Sequence, residues 1–120
     1  MGAKIVNFRM IRGDTKRWGI NISGLGSNTI DALYFSVRKH YSDSKYIFQK
    51  QLGDGIEPDP ESENPRYIVT ILPEDTERLP ALDDYVYDIE ITVNGDVITP
   101  IYGKITVMAD VTRHLGEGNT

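Results

Sequence analysis

From Leu79 to Thr99 the sequence reads LPALDDYVYDIEITVNGDVIT, and no other stretch restricts the fold as strongly. Tyr85, Tyr87, Ile89, Ile91 and Val93 alternate with Val86, Asp88, Glu90 and Thr92. A period of two is what a strand with one buried and one wet face requires. Asn94-Gly95 follows at once, and these residues tolerate positive φ at both central positions of a type I′ turn, whose twist suits a right-handed hairpin. Val97 to Thr99 must therefore open the partner strand. In simple register about that turn Ile91 faces Ile98, whereas Ile101, Ile105 and Val107 fall out of phase with Ile98. A bulge near Pro100 restores the phase and tolerates the missing donor. Upstream, Leu79-Pro80 followed by Tyr85 predicts a crossover between sheets that ends in a tyrosine corner, the ring under the loop and its hydroxyl on the loop backbone.

The rest of the chain repeats the alternation in shorter pieces. Val6, Phe8 and Met10 give a first strand that stops at the turn formers Arg12-Gly13-Asp14. Trp18, Ile20 and Ile22 give a second with its large ring inward, and Leu33, Phe35 and Val37 a third from about Ile30 to Lys39. Tyr46 to Leu52 is less one-sided and suits an edge strand, while Tyr67, Val69 and Ile71 mark another that ends at Pro73. The segment PEDTERLP supplies one short helical turn, with Pro73 at its first position and Glu74 and Asp75 at the end that favours negative charge. Residues 53–65, GDGIEPDPESENP, carry turn formers and carboxylates with hardly an apolar anchor, which predicts a long, exposed, flexible loop. From about residue 110 the pattern is lost and the tail is expected to fray. About seven short strands without a substantial helix predict an all-β, antiparallel, immunoglobulin-like β-sandwich, residues 1–120 forming one domain, with a closed barrel as the structural alternative.

Composition closes off several classes of function. A net charge of -5 is the wrong sign for a nucleic-acid footprint. The absence of cysteine excludes disulfides, thiolate catalysis and cysteine-ligated metal. No apolar run is long enough to cross a membrane as a helix, and the first residues have no apolar signal-peptide core. His40 and His114 have no Ser, Asp or Glu at a spacing that recurs in catalytic motifs, and no serine sits in a G-x-S-x-G elbow. The expectation is a protein that is not an enzyme and holds no cofactor or metal. Asp54, Glu57, Asp59, Glu61 and Glu63 are dense enough to tempt a calcium reading, but the spacing fits no loop template and such runs usually serve to solvate. Arg12-Gly13-Asp14 spells a tripeptide that integrins recognise, although Gly-Asp is also what a turn wants.

Two sets of residues remain. Asp88 and Glu90 lie two apart and so share the wet face of the longest strand, where they can meet basic groups on a neighbouring protein. Tyr34, Tyr41 and Tyr46, around the third and fourth strands, offer a stacking platform for a sugar.

The elements FRMIRGDTKRWGINI, LYFSVRKHYSDSKYIFQK, YIVTILPEDTERLPALDDYVYDIEIT and GKITVMADVTR together resemble the small immunoglobulin-like domains of tailed-phage and prophage structural proteins. They are similar in particular to the N-terminal domain of upper baseplate proteins from phages of Gram-positive bacteria. Arg12 to Thr15, Tyr34 to Lys39, Ile47 to Lys50, Leu72 to Thr76 and Tyr85 to Ile89 match that domain's elements in order, across about Phe8 to Asp110. The resemblance implies a virion protein of the tail or baseplate, made in the cytoplasm of the bacterial host. It also implies partners among the other phage structural proteins and repeated copies in the particle, with no catalytic residue to carry over. A chain that stops at Thr120, where a baseplate protein continues into fibre-forming or receptor-linked segments, is expected to be an accessory or connector. The alternative function is a module that binds host cell-wall polysaccharide.

Overall fold

The structure, a computed structural model, describes residues 3–22, 25, 29–62 and 66–111. Nine strands are formed among them: β1 (Lys4–Ile5), β2 (Phe8–Ile11), β3 (Lys16–Asn21), β4 (Ala32–Arg38), β5 (Phe48–Leu52), β6 (Gly55–Pro58), β7 (Arg66–Ile71), β8 (Asp83–Val93) and β9 (Asp96–Met108). The helical turn α1 spans Pro73–Thr76. Hydrogen bonding runs β1-β9-β8-β4-β5-β6-β7-β3, with β2 also on β9. The path folds over so that β3 and β7 lie across from β4 and β8: Trp18 of β3 meets both Phe35 of β4 and Tyr87 of β8. One layer is therefore β3-β7-β6 and the other β5-β4-β8-β9, the strand order of an immunoglobulin-like sandwich.

The long hairpin forms as its pattern requires. Tyr85, Tyr87, Ile89, Ile91 and Val93 are all buried, and φ is +52° at Asn94 and +84° at Gly95. Ile91 registers with Ile98, then Ile89 with Ile101, so Thr99 and Pro100 together oppose Glu90. That two-for-one step is the expected bulge, and it returns Ile101, Ile105 and Val107 to the core. The short helical turn also appears, with Pro73 first and the Asp75 carboxylate accepting from the Leu72 N–H at 2.7 Å.

Three expectations are corrected. Residues 53–65 are not one flexible loop: β6 runs through them, antiparallel to β7, with Ile56 fully buried opposite Val69. In a strand of this length one inward side chain is enough to anchor the backbone, and a single isoleucine among carboxylates and prolines does not register as a pattern. The sandwich is also not wholly antiparallel, because β1 and β2 lie parallel to β9, the intervening strands forming the long crossover that parallel pairing needs. Finally, among the described residues the expected tyrosine corner does not form at Tyr85. Tyr85 is buried with Lys39 Nζ 4.7 Å from its ring centre, but the hydroxyl that reaches a distant backbone is that of Tyr87, donating to Val6 O at 2.5 Å. The tail beyond residue 111, expected to fray, lies outside the described residues.

The contact at Val6 ties the first strands to the last. Between β1 and β2 the ladder is interrupted at Val6-Asn7, where Val6 N–H donates to Tyr102 O at 2.9 Å and the Asn7 side chain accepts from Lys104 N–H at 2.9 Å. Gly103 sits directly beneath, so close that a Cβ there would stand 2.0 Å from Val6 O. Gly103→Ala is expected to lower stability by about 1–3 kcal/mol through this backbone clash, and Tyr87→Phe by about 1 kcal/mol through the lost hydrogen bond. Urea unfolding midpoints check both, and a wild-type midpoint for Gly103→Ala would show that the close approach of Val6 to Gly103 does not hold β1 and β2 in place.

Candidate functional site

Burial of Leu33, Phe35 and Val37 on β4, and of Tyr87, Ile89 and Ile91 on β8, forces the alternate residues outward. The antiparallel register then sets them side by side: Tyr34 opposite Glu90, Ser36 opposite Asp88, Arg38 opposite Val86. On the other flank β5 places Gln49 against Ser36, and Gln49 Nε2 donates to Ser36 Oγ at 2.9 Å. The segment between β4 and β5 is shaped by a turn in which His40 N–H donates to Asp43 Oδ2 at 3.0 Å and Asp43 N–H to His40 O at 3.1 Å. It brings Tyr41 and Tyr46 to the rim, both exposed. These residues enclose a groove of about 270 Å³.

All five residues singled out from the sequence line this one groove: Tyr34, Tyr41, Tyr46, Asp88 and Glu90. They were expected as two sites, one for a protein and one for a sugar, and β4–β8 pairing merges them. Arg38, Ser36 and Gln49 were missed. Their signal was outward parity on β4 and β5, which carries no chemical flag until the register is known.

The groove's electrostatics are unbalanced. The Arg38 guanidinium lies 4.7 Å from the centre of the Tyr46 ring, a cation–π distance. Burial pushes the Asp88 carboxyl above its ordinary value, and Arg38 only partly opposes that rise. Burial also pushes the Tyr87 phenol up, with Tyr41 adding to it.

The other sequence features are structural. Arg12 is tied down by Asp110 Oδ1 at 2.9 Å and Leu79 O at 3.0 Å, while Gly13 N–H donates to Thr76 Oγ1 at 2.9 Å. An adhesive tripeptide needs a free arginine, and this one has a partner at each end of its guanidinium. In the acidic stretch Asp59 faces Arg66 at 3.1 Å and accepts from Glu61 N–H at 3.0 Å. Among the described residues no three metal-ligating side chains gather at one point, and Glu63 lies outside them. His40 is exposed, and His114 is also outside the described residues.

No protein family and no curated protein matches the chain. Among solved structures, it is similar to the extracellular domain of the voltage-gated sodium channel beta4 subunit, described as forming parallel homodimers that explain its role in cell–cell adhesion. The likeness has 12% identity and a TM-score of 0.44, over 92% of this chain and 97% of that one. The strand order described above is what makes the fold immunoglobulin-like.

Two outcomes follow from this geometry. Because the Asp88 carboxyl is raised in the folded state, the folded chain holds that proton more tightly than the unfolded one, so its contribution favours folding at low pH and fades as pH rises through the raised value. Asp88→Asn is therefore expected to raise the urea midpoint at pH 7 and to remove this part of the pH dependence. A lower midpoint at pH 7 would contradict it. Arg12→Ala is expected to cost about 1–3 kcal/mol, since it removes the guanidinium that bonds both the Asp110 carboxylate and the Leu79 carbonyl. Thermal unfolding checks this against Asp14→Ala, whose exposed side chain should matter little.

Proposed function

We propose that the chain is a non-enzymatic structural domain of a phage or prophage particle, in its tail or baseplate, which works by protein–protein contact through the outer face of β5, β4 and β8. The observation that carries this reading is the composition of that face. Four tyrosines, an arginine and two carboxylates line one groove on a sheet face that the described residues leave open. Protein-contact surfaces are enriched in tyrosine and arginine, which give large, stiff contact areas with a polar end. The particle comes from the resemblance to upper baseplate domains; of the segments that carry it, Arg12 to Thr15 and Leu72 to Thr76 meet at Gly13 and Thr76, Tyr85 and Tyr87 lie in the core, and Tyr34 to Lys39 supplies one wall of the groove. On this reading the partners are other structural proteins of the particle, and further copies of this chain arranged by its symmetry.

A second reading, a module for host cell-wall polysaccharide, is favoured by one feature: Tyr34, Tyr41 and Tyr46 share the groove with the planar polar groups of Gln49 and Asp88. Rings for stacking beside groups that hydrogen-bond hydroxyls suit a sugar.

Mass spectrometry of gradient-purified particles from the host strain separates the two. The chain is expected at a fixed ratio to the tail proteins, and its absence from particles would sink the structural reading. On a glycan array the polysaccharide reading expects binding that Tyr34→Ala abolishes, and the structural reading expects none above background.

A further inference from the structure

Four carboxylates of this molecule are paired with a cation from within. Asp59, Asp75, Asp83 and Asp110 each hold a lysine or arginine at 2.8 to 3.2 Å. Asp88 and Glu90 differ: among the described residues no ion pair and no side-chain hydrogen bond reaches either carboxylate. A cation is at hand in the same groove, since Arg38 lies close enough to lower the Asp88 carboxyl, yet its guanidinium rests on the Tyr46 ring. The groove thus already shows how a basic group sits in it, over a tyrosine face and beside a carboxylate. Four residues back along β4 a tyrosine beside a carboxylate recurs without the cation. Tyr34 stands directly across from Glu90, and the bulge at Thr99 and Pro100 leaves Glu90 with no single β9 residue in register beside it.

We propose that this end of the groove is a socket for one basic side chain, lysine or arginine, presented by a partner protein, with Tyr34 offering its ring face and Asp88 and Glu90 the counter-charge. The socket rests on the assembly reading and names the chemistry of its partner. Charge complementarity decides the occupant. The chain carries a net charge of -5, and the groove sets two carboxylates against one guanidinium. A neutral sugar would cover those carboxylates while leaving their desolvation uncompensated, whereas a cation offsets it directly. At about 270 Å³ the groove admits a single side chain with its stem rather than a folded element.

The test is a titration of isotope-labelled protein, followed by NMR, with acetylated tripeptides centred on lysine or arginine. A glutamate-centred tripeptide and an N-acetylhexosamine oligosaccharide serve as comparators. Shifts at Tyr34, Asp88 and Glu90 are expected with the basic peptides alone, weakening severalfold between about 50 and about 500 mM salt as screening grows. D88N/E90Q is expected to bind at least about tenfold more weakly, the size of one lost charge-assisted contact. Tyr34→Phe, which keeps the ring face, should bind like the wild type, and Tyr34→Ala should not bind. Circular dichroism verifies that each variant is folded, and E90Q alone replaces the double variant should that one fail. A response to the oligosaccharide alone, an equal response to the glutamate peptide, or undiminished binding by the charge-neutral variant overturns the socket. If particles contain the chain while basic peptides leave the groove unmoved, the socket falls and the assembly reading stands. If the peptides bind and the particles lack the chain, the socket stands and the particle is the wrong setting.

Discussion

The arrangement depends on one meeting of rings. Tyr87 packs against Phe8, Trp18 and Phe35 with centroids 5.5 to 5.6 Å apart, and Phe8 and Trp18 meet at 5.1 Å. Four strands, β2, β3, β4 and β8, are joined through this cluster, and each tilted or edge-on pair contributes about 1 kcal/mol beyond the area it buries. Its larger effect is on parity. A slip of one residue would turn every side chain of a strand to the other face, so fixing Tyr87 inward fixes Asp88 and Glu90 outward. The groove is in this sense the reverse side of the core.

That dependence explains which features were legible in the sequence. The strand at Tyr85 to Val93, its turn at Asn94-Gly95 and the bulge at Pro100 are local, each written in a few neighbouring residues. So are the turn at Pro73 and the inward face of β4. By contrast β6 rests on the pairing of Ile56 with Val69, across the chain from anything that announces it, and the parallel seating of β1 and β2 on β9 depends on partners about a hundred residues away. The site follows the same division. Asp88 with Glu90, and Tyr34 with Tyr41 and Tyr46, stand out as sets in the sequence, but only the β4–β8 register makes them one groove and adds Arg38, Ser36 and Gln49.

Two of the motifs that prompt the phage resemblance are joints. Arg12 reaches Asp110 and Leu79, Gly13 reaches Thr76, and Asp75 holds both the Leu72 backbone and Lys50 at 2.8 Å. Segments distant in sequence are thereby pinned at one end of the sandwich. The other matched segments, Tyr34 to Lys39, Ile47 to Lys50 and Tyr85 to Ile89, carry residues that line the groove, so the same motifs supply both the joints and the groove.

The parallel seating of the first strands has a mechanical consequence. Lys4 registers with Ile101 and Ile11 with Met108, so residues 4 and 108 lie toward opposite ends of one ladder. Tension between those two points pulls β1 and β2 lengthwise against β9, loading their hydrogen bonds together in shear instead of peeling them apart one at a time. The Val6-Asn7 step, held over Gly103 and hooked by the Tyr87 hydroxyl, acts as a catch against that sliding. A domain strung this way resists being drawn out along its length far better than its few strands would suggest.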